Sequence, residues 1–231
     1  MTKKIEELEK KLGFKFKNKD LLLQAFVHRS YLNEHKDFPL EHNERLEFLG
    51  DACLELVVTE FLYKNYPNPE GELTNWRAAL VRGTTISRVA KELGFEKHLL
   101  LSKGESKSVG KARELILANT FESVLGALYL DKGYEAVDKF IKKHLLPYLT
   151  EIISKELYYD PKSRFQELVQ EKTGITPNYK LEKAEGPDHA KNFTMAVFIS
   201  DKKISLGKGY SKQAAEQEAA RIAIDCWEEN V

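Results

Sequence analysis

From Ile5 to about Ser154 apolar residues return every three or four positions, and beyond about Asp160 they begin to alternate. A period near 3.6 belongs to amphipathic helices and a period of two to half-buried strands, so the chain must fold as two differently built parts. The helical spacing is explicit in Leu21-Leu22-Ala25-Phe26, in Leu54-Val57-Val58-Phe61-Leu62, in Val124-Leu125-Leu128-Tyr129 and in Val137-Phe140-Ile141-Leu145. Breaks fall at Phe38-Pro39, at Tyr66 to Gly71, at Gly94 and from Ser102 to Gly110. No segment of this stretch reads as a strand, and residues 1–155 are expected to form an all-α domain.

Residues 156–160 read as a short linker. Residues 161–231 follow as a small α+β domain of order α-β-β-β-α. Pro161 suits the first turn of a helix that runs to Thr173, with Phe165, Leu168 and Val169 inward. Tyr179 to Lys183 reads as extended. Phe193, Met195, Val197 and Ile199 alternate with polar or small residues as a half-buried strand, and Asp201-Lys202 turns into a strand carrying Ile204 and Leu206. Ala215, Ala219, Ile222, Ala223 and Cys226 form the expected buried stripe of a last helix from Ser211 to about Glu229.

Composition narrows the function. No apolar run approaches the roughly 20 residues that span a bilayer, and charge at the N-terminus occupies the place of a secretion signal's apolar stretch. Cys53 and Cys226, far apart in helical segments, read as small buried hydrophobes, which fits a reducing cytoplasm. Lys plus Arg equals Asp plus Glu, 36 each. A nucleic-acid binder with that balance has to segregate its charges, and its acidic clusters need a reason of their own.

The acidic cluster with the clearest pattern lies in His42-Asn43-Glu44-Arg45-Leu46-Glu47-Phe48-Leu49-Gly50-Asp51-Ala52. At about 100° per residue, Glu44, Glu47 and Asp51 fall within roughly 60° of one another around the helix. Aligned like charges destabilise a helix, and a hard divalent cation such as Mg²⁺ or Mn²⁺ would neutralise them; plain solvation of an acidic face is the competing reading. Gly50, which costs up to about 1 kcal/mol inside a helix, points to close approach of another backbone or of a partner subunit. Asn119 and Glu122 form a second polar pair in an otherwise apolar segment. Buried polar groups need compensation. Metal ligation from facing helices would supply it, and so would a cap or a buried hydrogen-bonded pair.

The run Asn43 to Ala52 resembles the signature of bacterial ribonuclease III. It is followed at suitable distance by Glu70-Gly71-Glu72-Leu73 and by Ile116-Leu117-Ala118-Asn119-Thr120-Phe121-Glu122. The C-terminal unit is similar to a double-stranded RNA-binding domain, and the resemblance covers nearly the whole chain. It implies a homodimeric endoribonuclease that hydrolyses double-stranded RNA with Mg²⁺, Mn²⁺ substituting, to 5′-phosphate and 3′-hydroxyl ends, acting on ribosomal precursors among other RNAs. Glu47, Asp51, Asn119 and Glu122 would surround the metal, Asp51 and Glu122 being catalytic, with Glu44 and Glu70 as auxiliary acidic positions. Phe48 matches the position that inserts into the partner subunit, and ordinary core packing is its alternative. Asn119 departs from the family's Asp: it keeps an oxygen but loses a charge. The alternative function is therefore a double-stranded RNA-binding homodimer with impaired catalysis. Glu55, near the same face, reads as structural or solvated.

For RNA, the resemblance implies Gln166 and Gln170 on the outer face of the first helix of the small domain, and His189 in a loop that enters a second minor groove. Lys208, Ser211 and Lys212 would meet phosphate at the start of the last helix. Gln213 and Glu216 make that patch less basic. Arg77, Arg82, Lys107, Lys111 and Arg113 are either further contacts from the catalytic domain or ordinary solubilising surface.

Overall fold

The computed structural model describes residues 2–187 and 191–228. The chain divides into two compact units, Met1–Tyr158 and Tyr159–Val231. The first contains α1 (Thr2–Leu12), α2 (Lys19–Gln24), α3 (Arg29–Glu34), α4 (Glu44–Asn65), α5 (Glu70–Leu80), α6 (Gly83–Glu92), α7 (Lys111–Lys132), α8 (Tyr134–His144) and α9 (Tyr148–Ser154). Its β structure among the described residues is an isolated parallel bridge between Val27 and Leu100. No helix among the described residues is long and apolar enough to cross a membrane.

The second unit contains α10 (Pro161–Thr173), β1 (Asn178–Glu185), β2 (Asn192–Ile199), β3 (Lys202–Gly209) and α11 (Lys212–Glu228). The strands form one antiparallel sheet in the order β1-β2-β3. Helix α10 has the predicted bounds: the Asp160 carboxylate accepts from the Ser163 N–H, Pro161 occupies the first turn, and Gly174 (φ 70) ends it. Phe165, Val169, Val197, Ala219, Ala220 and Ala223 form the centre of its core.

Three packing expectations for this unit need correction. On β3 the buried positions are Ser205 and Gly207, while Leu206 is exposed and Ile204 only partly buried. A bulge between Val197 and Phe198 shifts the register, so simple alternation mislays the inner face. On α11 the fully buried positions are Ala215, Ala219, Ala220 and Ala223, with Ile222 and Cys226 half-buried. Leu168 is likewise half-buried rather than inside.

The core of the first unit is organised around α4 and α7, each 22 residues long. Leu54, Val57, Val58 and Leu62 of α4 share one core with Phe121, Val124, Leu125 and Leu128 of α7, all at most 1% exposed. Each such side chain contributes roughly 1.5–3 kcal/mol on burial. Buried Asn43 fixes the start of α4, its N–H donating to the Val27 carbonyl at 2.9 Å and its side-chain amide to the Ala25 carbonyl at 3.2 Å.

Two glycines set the distance between these helices. A Cβ at Gly50 would lie 1.7 Å from the Glu122 carbonyl oxygen, and one at Gly126 would lie 2.2 Å from the Leu46 carbonyl oxygen. The contacts are reciprocal and the helices antiparallel, so backbone touches backbone at the crossing. Of the two explanations open for Gly50 in the sequence, approach of another backbone within the chain is the one observed.

Gly50→Ala and Gly126→Ala are therefore each expected to destabilise the protein by on the order of 3 kcal/mol, although alanine is the better helix former. Equilibrium urea denaturation checks this: an unchanged midpoint for either variant would mean the helices can part without cost.

Candidate active site

The crossing decides which side chains meet. With Gly50 seated on the backbone at Glu122, the flanking residues Glu47 and Asp51 of α4 come to the Glu122 carboxylate of α7. Burial raises the Glu122 pKa most, with further upward contributions from Asp51 and then Glu47, bringing it to about 7. Glu47 is also raised, first by burial, then by Glu44 and Asp51, and a hydrogen bond from the Asn119 side chain opposes the rise. The four positions implied for the metal are thus brought together from two helices.

They face one another without closing on a point. Among the described residues no three His, Cys, Asp or Glu side chains converge as an ion-holding group. The donor set fits a hard divalent cation: carboxylate oxygens plus an amide oxygen, one carboxyl raised to about 7 by burial and by its acidic neighbours.

The auxiliary acids separate. Glu44 sits in the first turn of α4, paired with Arg29 at 3.5 Å and 3.8 Å from the His42 ring. Glu70 begins α5 and accepts from the Thr74 hydroxyl at 2.9 Å. That is beyond the far end of α4, and the fourteen residues from Asp51 to Asn65 alone span about 21 Å. Within one chain Glu70 does not join the cluster. Glu55, read as structural or solvated, is partly exposed and pairs with Arg77 at 3.1 Å. Arg77 also donates to the Thr59 hydroxyl at 3.0 Å, and Arg113 binds the Ser106 and Ser108 carbonyls. These two cations are engaged within the fold.

Phe48 is 82% exposed, so core packing is not its role in the isolated chain. It heads a stripe along α4 that continues through Ala52, Leu56 (58% exposed) and Tyr63 (81% exposed). At the Tyr63 end a cavity of about 630 Å³ opens, lined by Thr59, Leu62, Tyr66, Leu73 and Arg77 among others.

In the second unit Gln166 and Gln170 are both exposed on α10, four residues apart, and the Gln170 amide donates to the Thr176 hydroxyl at 3.0 Å. Ser211 starts α11, its hydroxyl accepting from the Ala214 N–H at 3.1 Å, and exposed Lys212 follows. Lys208 does not join them. Its neighbours Gly207 and Gly209 both face the α11 backbone, where a Cβ would meet Ala219 N at 2.1 Å and Ala215 N at 2.6 Å. Lys208 therefore points to the opposite face of the sheet, beside its cross-strand partner Thr194. Glu216 is neutralised within the domain by Lys162 at 2.7 Å, so it weakens the basic patch less than its charge implies. His189 lies outside the described residues.

Sequence reasoning gave no role to three residues that hold the site in place. Asn43 anchors α4, Gly126 completes the crossing, and Ser123 ties the helices by donating to the Asn119 carbonyl at 2.7 Å and the Asn43 carbonyl at 3.4 Å. The available signal was the row of small residues Asn119, Ser123 and Gly126 along one side of α7.

Comparison with known proteins accords with this geometry. Residues 18–149 match a family model described as ribonuclease-III-like, and residues 161–225 match one described as a double-stranded RNA binding motif. The chain is 44% identical to Ribonuclease 3 of Streptococcus thermophilus over 95% of this chain and 96% of that one. It is 45% identical to Ribonuclease 3 of Enterococcus faecalis over 94% and 95% respectively. The solved nuclease domain of ribonuclease III from Campylobacter jejuni, described with a region involved in dimer formation, superposes with a TM-score of 0.56 at 37% identity. That match covers 62% of this chain and 96% of that domain.

The raised Glu122 carboxyl predicts a pH dependence. An acid with a higher pKa in the folded than in the unfolded state stabilises the fold at low pH, and that stability is lost as pH rises from about 4.5 to about 7. Metal-free protein should therefore lose Glu122's contribution to its thermal midpoint over that window. Glu122→Gln should remove this component and raise the midpoint at pH 8. A variant whose midpoint tracks the parent's at every pH would show that Glu122 is not crowded.

Proposed function

The chain belongs to the ribonuclease III family, endoribonucleases of double-stranded RNA, and on that premise we propose that it cuts RNA duplexes with Mg²⁺ or Mn²⁺, leaving 5′-phosphate and 3′-hydroxyl ends. The observation that carries this reading is the crowding of Glu47, Asp51 and Glu122 at the α4–α7 crossing. These three and the Asn119 amide oxygen would hold the cation. When bound, it supplies charge neutralisation at the phosphate and an acidified water.

The chain's own groups do the remaining work. Glu122 titrates at about 7 when the site is metal-free, so cation uptake competes with its proton near neutrality and is linked to pH. Arg29 pairs with Glu44 at the head of α4, and Glu44 still adds to the repulsion that raises Glu47. In the small domain Gln166 and Gln170 can reach 2′-hydroxyls and base edges, while Ser211 and Lys212 present a helix N-terminus to phosphate. Ribosomal precursors and other structured RNAs are the substrates this activity suits, and the thiols of Cys53 and Cys226 are compatible with a cytoplasmic setting.

The acting species is a homodimer. The exposed stripe on α4 is centred near Leu56, with Phe48 and Tyr63 at its ends. A second copy laid antiparallel across it sets Phe48 against the partner's Tyr63 and its neighbouring cavity, about 22 Å along the helix. The same arrangement carries Glu70 toward the partner's acidic cluster, which explains why Glu70 stands apart within one chain.

Incubation with a perfect RNA duplex and Mg²⁺ should give cleavage that EDTA abolishes. Asp51→Asn should slow it by on the order of a hundredfold or more, with duplex affinity retained. Intact duplex after long incubation with folded protein would support instead a double-stranded RNA-binding homodimer impaired by Asn119. Phe48→Ala should weaken dimerisation by about 2–4 kcal/mol, read by sedimentation; a parent protein that is monomeric at micromolar concentration and still cuts both strands would refute the dimer.

A further inference from the structure

Asn119 stands where the helix pair brings α7 against Glu47. The Ser123 hydroxyl on α7 reaches the Asn43 carbonyl on α4 at 3.4 Å. In an antiparallel pair, one turn back along α7 and one turn on along α4 place Asn119 against Glu47. The Asn119 side chain does hydrogen-bond the Glu47 carboxyl. Among the described residues no other hydrogen bond or ion pair reaches that carboxyl.

Resting on the metal-site reading above, we propose that Asn119 is a positioning residue for Glu47: its amide donates to the Glu47 carboxylate and fixes that side chain before any cation arrives. The chemistry separates an amide from an acid at this position. An aspartate is acceptor-only when ionised, so it could not donate to Glu47 and would add a fourth carboxyl group beside Glu47, Asp51 and Glu122. Asparagine supplies a donor at one end and keeps an oxygen at the other. The departure from the family's residue is then an exchange of charge for orientation, not a lost ligand.

A double-mutant cycle in EDTA tests the contact without metal or turnover. Asn119→Ala should lower the thermal midpoint of the parent, yet leave the midpoint of Glu47→Ala unchanged, because the contact is already gone there. Asn119→Asp should lower the metal-free midpoint further than Asn119→Ala and recover more on adding Mg²⁺. In metal-free protein the Asn119 side-chain amide proton resonances should shift on Glu47→Ala, a readout that general loss of stability does not move. Calorimetry should show Mg²⁺ binding weakened about tenfold by Asn119→Ala, as for loss of a group that orients a ligand. Equal losses from Asn119→Ala in both backgrounds, or unmoved amide resonances, overturn the proposal. If the parent binds no Mg²⁺, the metal reading fails, whereas the cycle in EDTA still decides the Asn119–Glu47 contact.

Discussion

Everything distinctive about the first unit follows from one contact, the seating of Gly50 on the backbone of α7 and of Gly126 on the backbone of α4. A methyl group at either site would force the helices apart. Separation would loosen the packing of Leu54, Val57 and Val58 against Phe121, Val124 and Leu125. It would also move Glu122 away from Glu47 and Asp51. Packing and chemistry thus share one constraint, and the helix propensity lost at two glycines is offset by the core that closes around them.

The electrostatic consequence runs the other way. Burying Glu122 in part, and then bringing Asp51 and Glu47 to it, stores an electrostatic cost in the fold, visible as the Glu122 carboxyl near 7. The fold limits that cost at its edges. Arg29 attends Glu44, and Asn119 gives Glu47 a donor. What remains uncompensated is concentrated at the centre, where a divalent cation would be most strongly held.

Much of this was legible in the sequence because it is periodic. The 3.6 spacing marked the helices, and the spacing of Glu44, Glu47 and Asp51 marked one face of α4. Gly50 marked a close approach, although its partner could not be named: Gly126 lies within an apolar run where a glycine carries no separate signal. The position of Glu70 was hidden because it depends on where α4 ends and α5 turns back, which is tertiary information. The facing of Leu206 and Lys208 was hidden for a related reason. Their facing depends on a bulge between Val197 and Phe198, and alternation counted along the sequence has no means to register one.

The glycines of β3 have a consequence for how the small domain finds its fold. Gly207 and Gly209 are the β3 positions that meet the backbone of α11 at Ala214, Ala215 and Ala219. A slip of β3 by one residue would turn Leu206 and Lys208 toward that helix, where there is no room even for a Cβ. A mispaired sheet could form its ladder but could not accept the helix. Docking of α11 therefore proofreads strand register, and the pair of glycines works as a key that only one pairing can turn.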